Sequence, residues 1–336
     1  MNIKVDSFKR SFDYSQSNSI FFSICSSEKD GIVYLGSSDF NVYEMNYNNP
    51  NRKTEKLYAH ESFVSSILRS GNLLISGGYD GSIIWWSISA KKMIKTVKSA
   101  HQKWIRSLAK HPKSPIIASV SDDMLCKIWD ADSGKQIQVL SGHDQKTPHH
   151  FPSMLFTCCF SPSGKYLATA DKIGKIMIWD TQTWKIVKSI HAPEFYTWDP
   201  TARRHSIGGI RSLAFSTDED YLAIGGIGHI GNIDHLDGPS QVQLFDFKTS
   251  KLVIKWLNDQ NKGIINYLHF SNNNQLLIAA GGNNDGILEY FDIKQKKSAY
   301  REKLGFHVHD GLWMEKEKET SLILAGHHHV SMYRQA

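Results

Sequence analysis

Lys127-Ile128-Trp129-Asp130 returns further along the chain as Met177-Ile178-Trp179-Asp180. Looser copies stand at Trp85-Trp86-Ser87, Leu244-Phe245-Asp246 and Tyr290-Phe291-Asp292, with apolar or aromatic stand-ins at Met45 and Tyr333. Aligning Met45, Trp86, Trp129, Trp179, Phe245, Phe291 and Tyr333 gives spacings of 41, 43, 50, 66, 46 and 42 residues. A period of roughly 40–45 residues carrying Trp-Asp marks a four-stranded propeller blade. The fold expected is therefore all-β: a single seven-bladed β-propeller of four-stranded antiparallel blades, with residues 1–336 forming one domain.

The third copy shows the blade pattern. Trp104-Ile105-Arg106-Ser107-Leu108-Ala109 reads as an inner strand a, Pro115-Ile116-Ile117-Ala118-Ser119-Val120 as b, Cys126-Lys127-Ile128-Trp129 as c, and Lys135-Gln136-Ile137-Gln138-Val139-Leu140 as d. Turn-formers separate them at His111-Pro112-Lys113-Ser114, Ser121-Asp122-Asp123 and Asp132-Ser133-Gly134, as short consecutive strands require. The last copy stops just after its third strand, and Ile3-Lys4-Val5-Asp6-Ser7-Phe8 precedes the first copy as an extra strand-like stretch. Residues 3–8 are expected to pair with the strand containing Val330 and Tyr333 and so close the ring.

These residues resemble the WD-repeat family over essentially the whole chain. In that family a His before strand a, a Ser or Thr in b, an Asp in the b–c turn and the strand-c Trp form a hydrogen-bonded tetrad. The resemblance carries the tetrad onto His60, Ser76, Asp80 and Trp86 in the second copy, and onto His101, Ser119, Asp123 and Trp129 in the third. Both Asp residues stand six positions before their Trp. The fourth copy has Ile173 at that offset, which predicts a broken tetrad. Within the family the chain is similar to a bacterial type, through Gly208-Gly209-Ile210-Arg211-Ser212-Leu213-Ala214-Phe215 and residues 225–239.

Net charge is +6, but the lysines are distributed rather than gathered. Lys91, Lys92, Lys95 and Lys98, then Lys185 and Lys188, then Lys294, Lys296 and Lys297 each follow a Trp-Asp position, where the outermost strand of a blade falls. Lysines on an unpaired edge discourage edge-to-edge aggregation, so edge protection explains the charge better than a nucleic-acid partner. Cys25, Cys126, Cys158 and Cys159 have no CxxC or framework spacing and read as free thiols. With no apolar leader and no run of the roughly 18–20 apolar residues that a bilayer demands, a cytoplasmic protein without membrane contact is expected.

Departures from the period show which loops have grown. Insertions fall near residues 144–152, 192–207 and 227–238. All are d–a or b–c connections, which emerge on one face of a propeller, the top. Loops on a rigid scaffold concentrate binding residues, and Trp, Tyr and Arg often carry interface energy. Trp198, Arg203, Arg204, His205, His229, Asp234 and His235 are therefore the candidate partner-binding patch, with Trp198 or Arg204 as its anchor. His149, His150, His309, His327, His328 and His329 also fall on that face, without the local spacing of a metal motif; no metal or cofactor is assigned. Gly225-Gly226-Ile227-Gly228 and Gly281-Gly282 precede no helix and are tight turns, not phosphate loops.

No nucleophile–base pair, GxSxG or paired carboxylates can be read in the chain. The expected function is a non-catalytic interaction scaffold that binds a protein or peptide on its top face. The competing reading is a metal-dependent or ligand-binding propeller enzyme built on the His-rich funnel.

Overall fold

The computed structural model describes residues 8–49, 53–201, 204–231, 238–315 and 319–335. The molecule is a β-propeller with four-stranded antiparallel blades. Five sheets have four strands each, ordered as consecutive hairpins. They will be called B (Val64–Ser70, Leu73–Gly78, Ile83–Ser87, Lys92–Val97), C (Ile105–Lys110, Ile116–Ser121, Cys126–Asp130, Gln136–Leu140), D (Leu155–Phe160, Tyr166–Asp171, Lys175–Asp180, Ile186–His191), E (Ile210–Phe215, Tyr221–Ile227, Pro239–Asp246, Leu252–Lys262) and F (Ile264–Phe270, Leu276–Gly282, Ile287–Asp292, Lys297–Glu302). Among the described residues no helix is long and apolar enough to cross a membrane.

The sixth sheet, A, has six strands in the order Val308–Glu315, Thr320–Gln335, Phe8–Ser26, Ile32–Ser37, Asn41–Asn46 and Thr54–Ala59. Seven separate four-stranded sheets, as expected from the repeat, are thus not formed among the described residues; the strands from both ends of the described chain share sheet A. Residues 8–15 pair with 329–335, from Phe8 opposite Gln335 to Ser15 opposite His329, and residues 21–26 of the same strand pair with Ile32–Ser37. Of the expected closing stretch 3–8, only Phe8 lies among the described residues.

Burial follows position in the blade. Middle strands such as Leu277 to Ala280, packed on both faces, are continuously apolar and buried, as expected when a sheet is covered on each side. Outer strands are open: Lys92–Val97 and Gln136–Leu140 are largely exposed, with lysines along the former. One irregularity recurs. In B, C, D, E and F the c–d register slips at Trp85/Trp86, Ile128/Trp129, Ile178/Trp179, Leu244/Phe245 and Tyr290/Phe291. A bulge at each repeat aromatic adds local twist, so the same residues that mark the repeat also help turn each blade.

Apolar clusters lie between neighbouring sheets rather than within them. Ile176 and Ile178 of D pack with Ile210 and Leu222 of E, and Val242 and Leu244 of E pack with Ile265 and Leu277 of F. The inner strands are laced across the sheet boundaries by polar bonds. Leu108 N donates to Ser66 Oγ (2.9 Å), Ile67 N to Ser23 Oγ (3.1 Å), and Asn266 Nδ2 to the Val308 carbonyl (2.8 Å). Together they surround a central channel holding a cavity of about 290 Å³.

Candidate interaction surface around the channel mouth

Tetrads anchor the loops on the top face. In C, Trp129 Nε1 donates to Ser119 Oγ (2.9 Å), Ser119 lies 2.7 Å from His101 Nε2, and His101 Nδ1 reaches Asp123 at 3.0 Å. Burial would raise the Asp123 carboxyl, but the hydrogen bond and charge of His101 hold it below the usual carboxylate range. In B, His60 joins Ser76 (2.7 Å) and Asp80 (3.1 Å), but the relay ends differently. The Tyr58 hydroxyl lies 3.0 Å from Ser76 Oγ, and the half-buried Trp86 stacks on the Tyr58 ring.

The broken tetrad expected in the fourth copy is corrected by the structure. His143 Nδ1 lies 2.7 Å from Asp171, His143 Nε2 lies 2.8 Å from Thr169, and Trp179 Nε1 donates to Thr169 at 3.0 Å. The carboxylate comes from the end of strand b, opposite Leu155, instead of from the turn. Its other oxygen accepts from the backbone N–H groups of Ile173 and Lys175. Ile173 thus takes part through its backbone, with no carboxylate needed there. His191, which falls near a tetrad position in sequence, is exposed.

The three insertions pack together into a wall. The second insertion holds a two-stranded ribbon, Tyr196–Asp199 against His205–Gly208. Trp198 lies almost parallel to His149 of the 144–152 loop at 4.2 Å and beside Phe151 at 5.4 Å, while His205 meets Phe151 edge-on. His149 Nδ1 is 2.9 Å from the Tyr196 hydroxyl. The third insertion is tied in by Ile230 N, which donates to Thr197 Oγ1 at 3.0 Å. Arg204, at φ +48°, His205 and His229 are exposed on this wall. Trp198 is half-buried in the wall's own aromatic stack. Arg203, Asp234 and His235 lie outside the described residues.

A second surface, which the sequence reading missed, runs along the top of A, B and C. Phe40, Phe63 and Trp104 are 41%, 37% and 48% exposed; single exposed rings are common, but a contiguous exposed apolar patch marks an interaction surface. They form a row: Phe40 to Phe63 (5.8 Å), Phe63 to Tyr79 (5.6 Å), and Tyr79 to Trp104, parallel at 4.5 Å. Phe63 also meets Phe22 at the channel rim. The signal was available as repetition: Phe63 and Trp104 each immediately precede an inner strand or lie one residue from it, and Phe40 and Tyr79 occupy successive b–c turns.

The row leads to a basic channel mouth. The Arg106 guanidinium faces Tyr79 and Trp104, each at 5.0 Å, pairs with both oxygens of Asp122 (2.8 and 2.7 Å) and donates to the Tyr79 hydroxyl. Two blades round, Arg211 lies 3.6 Å over the Phe156 ring, and Arg106 is 5.5 Å from the same ring. Gly209, at φ +104°, lets the Phe156 ring seat against its backbone, because a Cβ there would meet Phe156 at 2.6 Å. The pentapeptide Ile-Arg-Ser-Leu-Ala, at 105–109 and again at 210–214, was the legible trace of this symmetry.

Across the mouth stand three imidazoles. His307, His309 and His327 have ring centroids 4.5 to 5.0 Å apart. Burial and the neighbouring His327 push His307 down to about 4, and burial, followed by His307, His327 and Arg211, holds His309 well below the usual imidazole range. Among the described residues no group of three or more His, Cys, Asp or Glu has a geometry that could hold a metal ion.

A ring of four-stranded blades with His-Ser/Thr-Asp-Trp relays defines the class to which the comparisons also point. Residues 51–87, 91–130 and 134–180 match the family described as WD domain, G-beta repeat, so these three stretches are similar to its repeats. It is similar to the WD repeat-containing protein VIP3 of Arabidopsis thaliana, 27% identical over 54% of this chain and 50% of that protein. It is also similar to a guanine nucleotide-binding protein subunit beta of Oryza sativa subsp. japonica (26% identical, 36% of this chain, 32% of that one). A third relative is a transcription initiation factor TFIID subunit 5 of Caenorhabditis elegans (35% identical, 23% of this chain, 11% of that one). The chain spans half or less of the length of these relatives. All three are eukaryotic, so the narrower resemblance to a bacterial type has no support from them.

Proposed function

We propose that this protein is a non-catalytic scaffold that binds a protein or peptide partner on the top face of the propeller. The observation that carries this reading is the exposed aromatic row from Phe40 to Trp104, which runs to the channel mouth. Exposed, mutually stacked rings beside an arginine are the composition of an interface core. The wall supplies a raised, polar rim, with Arg204, His205 and His229 exposed on it. The expected patch of Trp198, Arg203, Arg204, His205, His229, Asp234 and His235 remains part of the proposal. Its anchor role passes from Trp198, already stacked inside the wall, to Trp104. The relatives support an interaction role through their names, as a G-protein subunit and a transcription-factor subunit. Co-purification with wild-type protein and with a Phe63→Ala, Trp104→Ala variant tests the reading: the variant should lose the main partner while keeping its fold.

The reading rests on a ring of seven blades in one domain. Sheet A supports seven if it is two blades joined at the shared strand Phe8–Ser26. Thr320–Gln335 would then be two strands folded back at His328, whose φ is +61°. Ile323 and Ala325 share a cluster with Val330 and Met332, which a straight strand would place on opposite faces. The cytoplasmic placement draws support from four cysteines that are all free thiols.

The second reading, a metal- or ligand-dependent enzyme, is favoured only by the convergence of His307, His309 and His327. Metal analysis of untagged protein separates the two.

A further inference from the structure

We propose that Arg211 and His309 form an oxyanion-binding seat at the channel mouth, which receives a carboxylate or phosphate group of the peptide lying on the aromatic row. This deepens the scaffold reading and rests on it, naming the partner's chemistry as an acidic peptide.

The argument starts from donors without acceptors. Arg211 Nε and His309 Nε2 are both buried and have no hydrogen-bond partner. Both residues line the same cavity of about 190 Å³, with Arg106, Phe156 and Asn266. Buried polar atoms are satisfied in the great majority of cases, and orphans call for an explanation. A buried cation without a counter-ion is costlier still. Arg211 makes one hydrogen bond, from Nη2 to the Gly208 carbonyl at 3.2 Å, and has no ion pair among the described residues. Lys172, also buried, has none either. Among the described residues Asp122 is the acid whose charge reaches Arg211, and Arg106 already holds both its oxygens. Asp310, which lines the larger channel cavity with Arg211 and His309, accepts from Ser23, Ile24 and Gly311.

Local electrostatics agree. Burial, then repulsion from Arg106, pushes the Arg211 guanidinium down to about 10, and burial followed by the charge of Arg211 lowers Lys172. Those two cations and Arg106 outnumber Asp122 by two charges. An incoming oxyanion would lower the repulsion and satisfy the Nε donor together. His309 can join it, because a neutral imidazole with its proton on Nε2 donates. The Phe156 face fixes the guanidinium plane, the arrangement that makes arginine selective for planar or tetrahedral oxyanions. An acidic peptide is preferred over a free anion because Trp104, Tyr79 and Arg106 connect the seat to the aromatic row without a break.

The test uses the full chain and four probes. Inorganic phosphate and acetate are titrated while thermal stability is recorded. Peptide arrays in which Asp, Glu or phosphoserine is flanked by aromatic residues are compared with matched Asn, Gln and Ser arrays. Phosphate should raise the melting temperature of wild type, as any ligand of the native state does. It should raise that of Arg211→Gln far less. Acidic or phosphorylated peptides should bind at least about tenfold more tightly than their neutral matches, a preference that Arg211→Gln and His309→Leu abolish. Phosphoserine above Asp and Glu identifies a phosphate source, and the reverse a carboxylate. Arg211→Gln should itself melt no lower than wild type, since it removes an unpaired charge, so misfolding would not explain a loss. Equal binding of acidic and neutral peptides, or a preference surviving in Arg211→Gln, overturns the proposal. So does tighter binding of single-stranded RNA than of any peptide through the same residues. If Phe63→Ala, Trp104→Ala loses the partner while Arg211→Gln keeps it, the scaffold reading stands and the oxyanion seat falls.

Discussion

Ser23 Oγ donates to Asp310 Oδ2 at 3.0 Å, joining the inner strands from the two ends of the chain. Asp310 also accepts from Ile24 N (2.9 Å) and Gly311 N (2.8 Å). Burial nevertheless pushes its carboxyl up to about 6, the hydrogen bonds offsetting only part of that rise. A carboxyl whose folded pKa exceeds its unfolded one favours folding most when protonated. Its contribution is complete below about pH 4 and declines as pH rises through about 6. Asp310→Asn removes that dependence. Denaturant unfolding of both proteins between pH 4 and 7 should show the variant's deficit largest at pH 4 and shrinking by roughly 3 kcal/mol towards pH 7. A constant difference would show that Asp310 does not titrate in this range.

Asp171→Ala should destabilise the protein by about 1–3 kcal/mol, because His143 and two backbone N–H groups lose their acceptor. Asp123→Ala should cost a similar amount in sheet C. Ile173→Asp, which restores the residue the repeat would place in the turn, should bring no gain, since His143 is already served. Chemical denaturation of the three variants decides the matter, and a stabilised Ile173→Asp would contradict it.

Phe8 packs against Tyr290 and Trp313, with ring centroids 5.6 and 5.5 Å away. Phe8→Ala should therefore cost about 3–5 kcal/mol, the range for emptying a buried aromatic site. Arg10→Ala, which loses bonds to the Tyr333 hydroxyl and the Leu304 carbonyl, should cost less. Calorimetry on both measures whether the ends of the chain hold the ring shut. Near-wild-type melting of Phe8→Ala would leave the contact without importance.

For partner binding, Trp104→Ala should reduce affinity by about 2 kcal/mol or more, as for a central anchor, and Arg204→Ala by much less. Binding measured on the co-purified partner should show this order. The reverse order would return the anchor to the wall.

The repeat was legible because an aromatic at the end of strand c recurs with little drift, and the bulge it sits in recurs with it. The tetrads of B and C were legible at fixed offsets, apart from the indole of Trp86. Asp171 was not, because a hydrogen bond depends on where a carboxylate can reach, and the end of strand b reaches His143 as well as the turn does. The wall was half legible: loop length revealed the insertions, but the stacking of His149, Trp198 and Phe151 joins segments almost fifty residues apart. The aromatic row and Arg211 were hidden for the opposite reason. They carry no insertion, and within each repeat they look like ordinary strand-entry, strand or b–c turn residues. Only the ring brings Arg106, Phe156 and Arg211 side by side.

The pairing of residues 8–15 with 329–335 also has a meaning in time. On the ribosome the first of these segments has no partner until more than three hundred further residues have been added. Every intermediate length of nascent chain carries an unsealed arc in which residues 8–15, with Phe8 and Phe12 on the side the closed ring buries, have no partner strand, the kind of surface that invites wrong partners and chaperones. Translation speed through residues 329–335, rather than through residues 8–15, should govern how much of the product becomes a sealed ring.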